Sequence, residues 1–241
     1  MQENRPIVLS IAGLDPCAGA GVLADIKTFE QLKVYGMSVI TANTIQTEDA
    51  FFDIQWHAID TVLQTIHTLM QRYNIAAVKI GIVPNLAFLH AIVQAVKTNN
   101  SNAFIVWDPV LTSSTGFDFF YEADWSEHIG VLQQLDLITP NYNEYQILST
   151  HLDTETNLFI KGGHRTEQVG MDILRIGHFE KQFEPQVDAV FPKHGSGCVL
   201  SAAIAAYGSL GYTLIEACSH AKKYIETYLN SHPSLLGYHA Q

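Results

Sequence analysis

Short β-rich apolar runs alternate with stretches of helical period along almost the whole chain, and this alternation restricts the possible folds more than any other feature. It is the pattern of βαβ units, and it predicts an α/β protein with a mainly parallel sheet. Strands are expected at Ile7–Ala12, Met37–Ala42, Ala77–Ile80, Phe104–Trp107, Asp136–Ile138, Leu158–Ile160 and Met171–Ile176. Helices are expected at Val22–Leu32, Ile59–Met70, Leu86–Val96, Val199–Tyr207 and Leu214–Leu229. In the second of these, Ile59, Val62, Leu63, Ile66, Leu69 and Met70 keep the i, i+3, i+4, i+7 rhythm of a helix lying on a sheet. The 241 residues can fill one such domain, residues 1–241, and nothing in the composition forces a division.

Charge narrows the partners. With 13 Lys and Arg against 24 Asp and Glu, the net charge of −11 repels a phosphate backbone, so no nucleic acid is expected. No stretch approaches the roughly 20 apolar residues of a membrane span, and Met1–Arg5 lacks the basic-then-apolar shape of a secretion signal. A cytoplasmic protein without membrane contact is the expectation. Cys17, Cys198 and Cys218 have no CxxC spacing and are odd in number, as reduced thiols would be.

In open parallel sheets ligands bind beyond the carboxyl ends of the strands, so the residues that follow each apolar run carry the functional information. The first run leads to Gly13-Leu14-Asp15-Pro16-Cys17-Ala18-Gly19-Ala20-Gly21, and the second to Asn43-Thr44-Ile45-Gln46. Later runs lead to Gly81 after Lys79, to Asp108-Pro109-Val110, to Thr139-Pro140-Asn141 with Glu144, and to Lys161-Gly162-Gly163-His164. Any one of these alone would be read as a turn. Near the carboxyl end, His194-Gly195-Ser196-Gly197-Cys198 runs straight into a small-residue helix. A helix start carries unpaired N–H groups and the positive end of the macrodipole, and glycines let a phosphate approach them. That field would favour the Cys198 thiolate, although a glycine turn beside a buried cysteine accounts for the segment equally well. Together the stations supply glycine turns, a lysine, a carboxylate pair suited to Mg²⁺ and a helix-start thiol. These are the parts needed to hold a nucleoside triphosphate and a hydroxyl acceptor in line.

The segment Ser10–Pro16 through Gly19-Ala20-Gly21, followed by Ala24-Asp25-Ile26-Lys27-Thr28, resembles the amino-terminal motif of the hydroxymethylpyrimidine and phosphomethylpyrimidine kinases. These are vitamin kinases of the ribokinase-like fold. Tyr35–Ala42 ending at Gln46, Val78–Gly81, Asp108–Val110, Thr139–Asn141 with Glu144, Lys161–His164 and His194–Cys198 resemble that family's later motifs in order, over most of the chain. The resemblance implies a three-layer α/β sandwich with helices on both faces of a mainly parallel sheet. It also implies an ATP- and Mg²⁺-dependent kinase that phosphorylates 4-amino-5-hydroxymethyl-2-methylpyrimidine, or its monophosphate, for thiamine biosynthesis. A pyridoxal kinase and a non-catalytic pyrimidine-binding relative are the alternatives, and a homodimer is possible in this family.

By the same resemblance, Gln46, Gly13, Asp15 and Val110 would contact the acceptor. A glutamine amide suits an aminopyrimidine edge because it offers both a donor and an acceptor. Cys198 would take the acceptor's proton, with Gly195, Ser196 and Gly197 as an oxyanion cradle. Lys161, Asn141 and Asp108 would serve ATP, and Glu144 the metal. Leu14 and Cys17 stand where the family usually has serine and a small polar residue or glycine. Leu111–Phe117 lacks the basic residue common on the family's flap. Residues 145–160 replace a longer unit beside the nucleotide site, so weak ATP binding with little discrimination between adenine and guanine is expected.

Overall fold

The computed structural model describes residues 5–113, 116–121, 129–164, 169–187 and 190–239. Its strands are β1 (Ile7–Leu14), β2 (Tyr35–Gln46), β3 (Phe51–Trp56), β4 (Ile75–Ile80), β5 (Phe104–Trp107), β6 (Leu137–Ile138), β7 (Leu158–Ile160), β8 (Asp172–Ile176) and β9 (Phe179–Phe183). Among the described residues they form one sheet in the order β3-β2-β1-β4-β5-β6-β7-β8-β9. From β2 to β7 every neighbouring pair is parallel, and β3, β8 and β9 add antiparallel edges. Six carboxyl-terminal strand ends therefore open on the same side of the sheet.

The helices are α1 (Gly21–Gln31), α2 (Ile59–Arg72), α3 (Leu86–Asn99), α4 (Tyr142–Leu148), α5 (Ser196–Ser209) and α6 (Leu214–Leu229). Strand side chains alternate between the two faces, and each face buries its own cluster. Leu9, Ile11, Val78, Ile80, Ile105 and Trp107 pack against α2 and α3. Val8, Ala77, Val106, Leu137 and Phe159 pack against α1, α5 and α6. Phe29 of α1, fully buried there, contributes on the order of 2 kcal/mol by leaving water.

The small residues of α5 have a geometric purpose. Ala202, Ala203, Ala205 and Ala206 are all fully buried, and a Cβ on Gly208 would come within 2.6 Å of the Phe104 ring. The helix thus lies close against β5 and aims its amino terminus at the open ends of the strands. Gly195 supplies the turn into it with φ +70°, where a Cβ would collide with the Gly19 carbonyl and Ala20. Strand one's loop and the α5 entrance are in contact for that reason.

Most elements lie where the periodicity puts them. Three were not expected: the short helix α4, and two strands, of which β3 pairs with β2 as a hairpin and β9 caps the far edge. Both strands lie at edges and have exposed, mixed-polarity faces. Ser114 and Thr115, in the segment after Val110, lie outside the described residues.

Candidate active site

The polar stations gather at the strand ends around the α5 entrance. Lys161, which directly follows β7, is buried, and its ammonium meets Asp108 Oδ1 at 2.6 Å. Asp108 follows β5 and is fully buried. It accepts further hydrogen bonds from Thr139 Oγ1 at 3.2 Å and from Ser201 Oγ of α5 at 3.1 Å. A Cβ built on Gly197 would lie 3.2 Å from Lys161 Nζ, so the ammonium stands against the first turn of α5. Burial works against charge on both partners, yet Lys161 and Lys79 hold the Asp108 carboxyl below its ordinary value, and Asp108 and Glu144 hold the Lys161 ammonium above its own. Lys161 is therefore not a surface lysine. Its ammonium and the N–H groups at the start of α5 are donors of the kind that anionic oxygens accept from.

Asn141 and Glu144 have a structural role before any chemical one. Asn141 Oδ1 accepts from Glu144 N and Glu144 Oε2 accepts from Asn141 N, a reciprocal capping box that starts α4. Burial pushes the Glu144 carboxyl up to about 7, with Asp108 adding to the rise and Lys161 opposing it. A buried carboxylate strained by a neighbouring one has the donor chemistry that a hard cation such as Mg²⁺ requires.

Gln46 ends β2 and lies half-buried. Its Nε2 donates to Thr44 Oγ1 at 2.8 Å, and Thr44 Oγ1 donates in turn to the Leu14 carbonyl at 2.9 Å. The amide is thus tethered through Thr44 to the end of β1. Val110 sits in the tight turn after Asp108, its N–H bonded to the Asp108 carbonyl at 2.8 Å.

One expectation requires correction, and Asp15, expected to contact the acceptor, has a structural role besides. Its two oxygens accept from the backbone of Cys17, Gly19 and Ala20, from Cys17 Sγ and from His194 Nε2. Despite burial, these donors lower its carboxyl to about 2, and they make it the organiser of the loop after β1. Cys198 is not a thiolate at neutral pH. Protein packed around the sulfur pushes the thiol up to about 11, outweighing the pull of Lys79, and Asp108 and Asp25 add to the rise.

A second buried pair has similar chemistry but is not evident from the sequence. Lys79 in β4 and Asp25 in α1 are fully buried, 3.0 Å apart, and Ser10 Oγ donates to the same Asp25 oxygen at 2.6 Å. The other oxygen, Oδ1, has no hydrogen-bond partner among the described residues. A lysine in an apolar strand and an aspartate on the inner face of a helix were the available signals. Two open surface hollows, one near Lys223 and Tyr238 and one near Arg175 and His178, share no residue with this cluster. Chemistry rather than depth identifies the site.

The chain is similar to known proteins over almost all of its length. The family model described as phosphomethylpyrimidine kinase matches residues 15–241. A hydroxymethylpyrimidine/phosphomethylpyrimidine kinase of Aquifex aeolicus is 34% identical, over 96% of this chain and 98% of its own length. The crystal structure of a phosphomethylpyrimidine kinase from Clostridium difficile superposes with a TM-score of 0.75 at 29% identity, covering 92% of this chain and 98% of the other. The ADP complex of a Bacillus subtilis pyridoxal kinase superposes with a TM-score of 0.76 at 25% identity, covering 94% and 92%.

Proposed function

Since the chain belongs to the phosphomethylpyrimidine kinase family, we propose that it transfers the γ-phosphoryl group of ATP to the hydroxymethyl oxygen of 4-amino-5-hydroxymethyl-2-methylpyrimidine, to the monophosphate of that alcohol, or to both, in thiamine biosynthesis. The observation that carries this reading is the Lys161 ammonium, held by Asp108 against the glycine-rich start of α5, on the same sheet edge as Gln46.

The acceptor oxygen forms a bond to γ-phosphorus as the bond from the β-phosphate oxygen breaks, leaving ADP. Charge on the transferring group falls to Lys161 and to the N–H groups of Ser196 and Gly197, with Gly195 leaving room for close approach. Gln46 orients the ring through its amide, with Gly13 and Val110 flanking it. The hydroxyl proton goes to the sulfur of Cys198 in its thiolate form, late in a loose transition state, when the acceptor oxygen has become acidic. With the thiol raised to about 11, that thiolate is a strong base but only a small fraction of the resting protein. Glu144, Asn141 and Asp108 fit Mg²⁺, which when bound would neutralise phosphate oxygens. Little chain between Glu144 and Lys161 is free to wall an adenine, so the triphosphate would supply most of the nucleotide affinity.

The setting proposed is a cytoplasmic homodimer. Exposed Ile45 and Phe52 on the β2–β3 hairpin are apolar side chains available to an interface, and among the described residues no helix is long and apolar enough to cross a membrane. Sedimentation would test the dimer. The second reading, a pyridoxal kinase, is favoured by the Bacillus subtilis neighbour. Competition between the pyrimidine alcohol and pyridoxal for phosphoryl transfer from ATP separates the two. Preference for the pyrimidine supports the proposal, and preference for pyridoxal replaces it.

A further inference from the structure

The loop after β1 and the residue before α5 bring three different metal-binding side chains to one point. Asp15 Oδ1 lies 3.0 Å from Cys17 Sγ, and Asp15 Oδ2 lies 3.0 Å from His194 Nε2. The three ligand atoms are all within 4.8 Å of one another, although His194 is far from the other two in sequence. We infer that Asp15, Cys17 and His194 form a binding site for a zinc-class divalent cation, tying the β1–α1 loop to the entrance of α5.

Several features make the cluster a built one. The Asp15 carboxylate is fixed by N–H donors from Cys17, Gly19 and Ala20 at 2.8 to 3.1 Å, the kind of outer shell that orients a metal ligand. The His194 ring reaches Asp15 only because residue 19 is glycine, since a Cβ there would stand 2.7 Å from His194 Cδ2. His194 is held from behind by its own N–H, bonded to the Leu235 carbonyl at 2.9 Å. Asp15 is buried whereas Cys17 and His194 are partly exposed, so a cation can approach from solvent on one side.

The donor set selects the class of ion. One thiolate, one imidazole and one carboxylate suit Zn²⁺ or Co²⁺ in tetrahedral geometry with water in the fourth place, whereas Mg²⁺ prefers oxygen alone. Metal–ligand bonds of about 2.0 to 2.3 Å put tetrahedral ligands roughly 3.3 to 3.8 Å apart. The two 3.0 Å contacts to Asp15 reach that range by opening a few tenths of an ångström, and Cys17 Sγ and His194 Nε2 already lie within 4.8 Å of each other. On binding, the Cys17 S–H bond breaks, the sulfur bonds the cation and the proton leaves to solvent. His194 offers the Nε2 lone pair with its hydrogen on Nδ1, and Asp15 is already ionised. The cation keeps its charge, so no redox partner is needed.

Titration of the metal-stripped full chain with Co²⁺ tests this directly. One equivalent should bind with a thiolate-to-cobalt charge-transfer band, about one proton should be released per ion, and Zn²⁺ but not Mg²⁺ should displace it. Cys17→Ala and Cys17→Ser should both abolish the band, Cys198→Ala should retain it, and His194→Gln should weaken binding about tenfold or more. Circular dichroism confirms that each variant is folded. A missing band, a band that survives in both Cys17 variants, or one lost only in Cys198→Ala would overturn the inference.

Discussion

Lys161 and Asp108 close a buried ion pair at 2.6 Å across residues that come from two different strand ends. Removing only the cation, as in Lys161→Met, leaves a fully buried carboxylate without its charge partner. The expected loss is about 3–5 kcal/mol of folding stability, measured by urea denaturation. The pair Lys161→Met with Asp108→Leu should cost less than the sum of the single changes. A single-variant loss below about 1 kcal/mol would show a pair that behaves as a solvated surface contact.

Glu144 should make stability depend on pH in an unusual direction. Its carboxyl is raised from 4.5 to about 7 in the folded chain, so between those values the native state holds a proton that the unfolded chain has lost. Its stabilising contribution is full below about pH 4.5 and is lost as pH rises through about 7. Glu144→Gln removes this titration. The stability of the natural protein relative to the variant should fall over that window by up to roughly 3 kcal/mol, and Mg²⁺ should bind more tightly above pH 7. A flat difference between pH 4.5 and 8 would refute the assignment.

Gln46 should act on the acceptor and not on the nucleotide. Gln46→Ala removes an amide tethered by Thr44, and the acceptor KM should rise by about 5- to 150-fold, the equivalent of 1–3 kcal/mol, with the KM for ATP little changed. Thr44→Val, which removes only the tether, should give a smaller shift in the same direction. Equal effects on both substrates would place Gln46 elsewhere in the mechanism.

Cys198 should behave as a protonated thiol in the free protein. Iodoacetamide labelling followed across pH should rise with an inflection near 11, well above the ordinary cysteine value, and Cys198→Ala should lower kcat with both KM values nearly unchanged. Rapid labelling at neutral pH would mean that the helix field prevails over burial after all.

The parallel core was legible in the sequence because strands closed by polar stations and helices with strong apolar periodicity leave little freedom. Phe104–Trp107, Leu158–Ile160 and Leu214–Leu229 are found with the bounds expected of them. The Phe51–Trp56 and Phe179–Phe183 strands were not legible, since an exposed edge carries no clean alternation of burial. The strand-end residues could be placed on one edge from topology alone. Asp25 with Lys79, and Asp15 with His194, could not, because each meaning lies in a pair joined only by folding. The Cys198 thiol shows the same limit: the local helix start favours the thiolate, and the tertiary surroundings that reverse this do not appear in the local sequence.

The most direct test of the central claim is product analysis by phosphorus NMR after incubating the purified protein with ATP, Mg²⁺ and 4-amino-5-hydroxymethyl-2-methylpyrimidine. The account predicts ADP and a phosphate monoester on the hydroxymethyl oxygen in equal amounts, formed only when the pyrimidine is present and reduced at least a hundredfold in Lys161→Met. Binding of the pyrimidine with no ADP and no phosphate ester would contradict it, and would leave a pyrimidine-binding protein in place of a kinase.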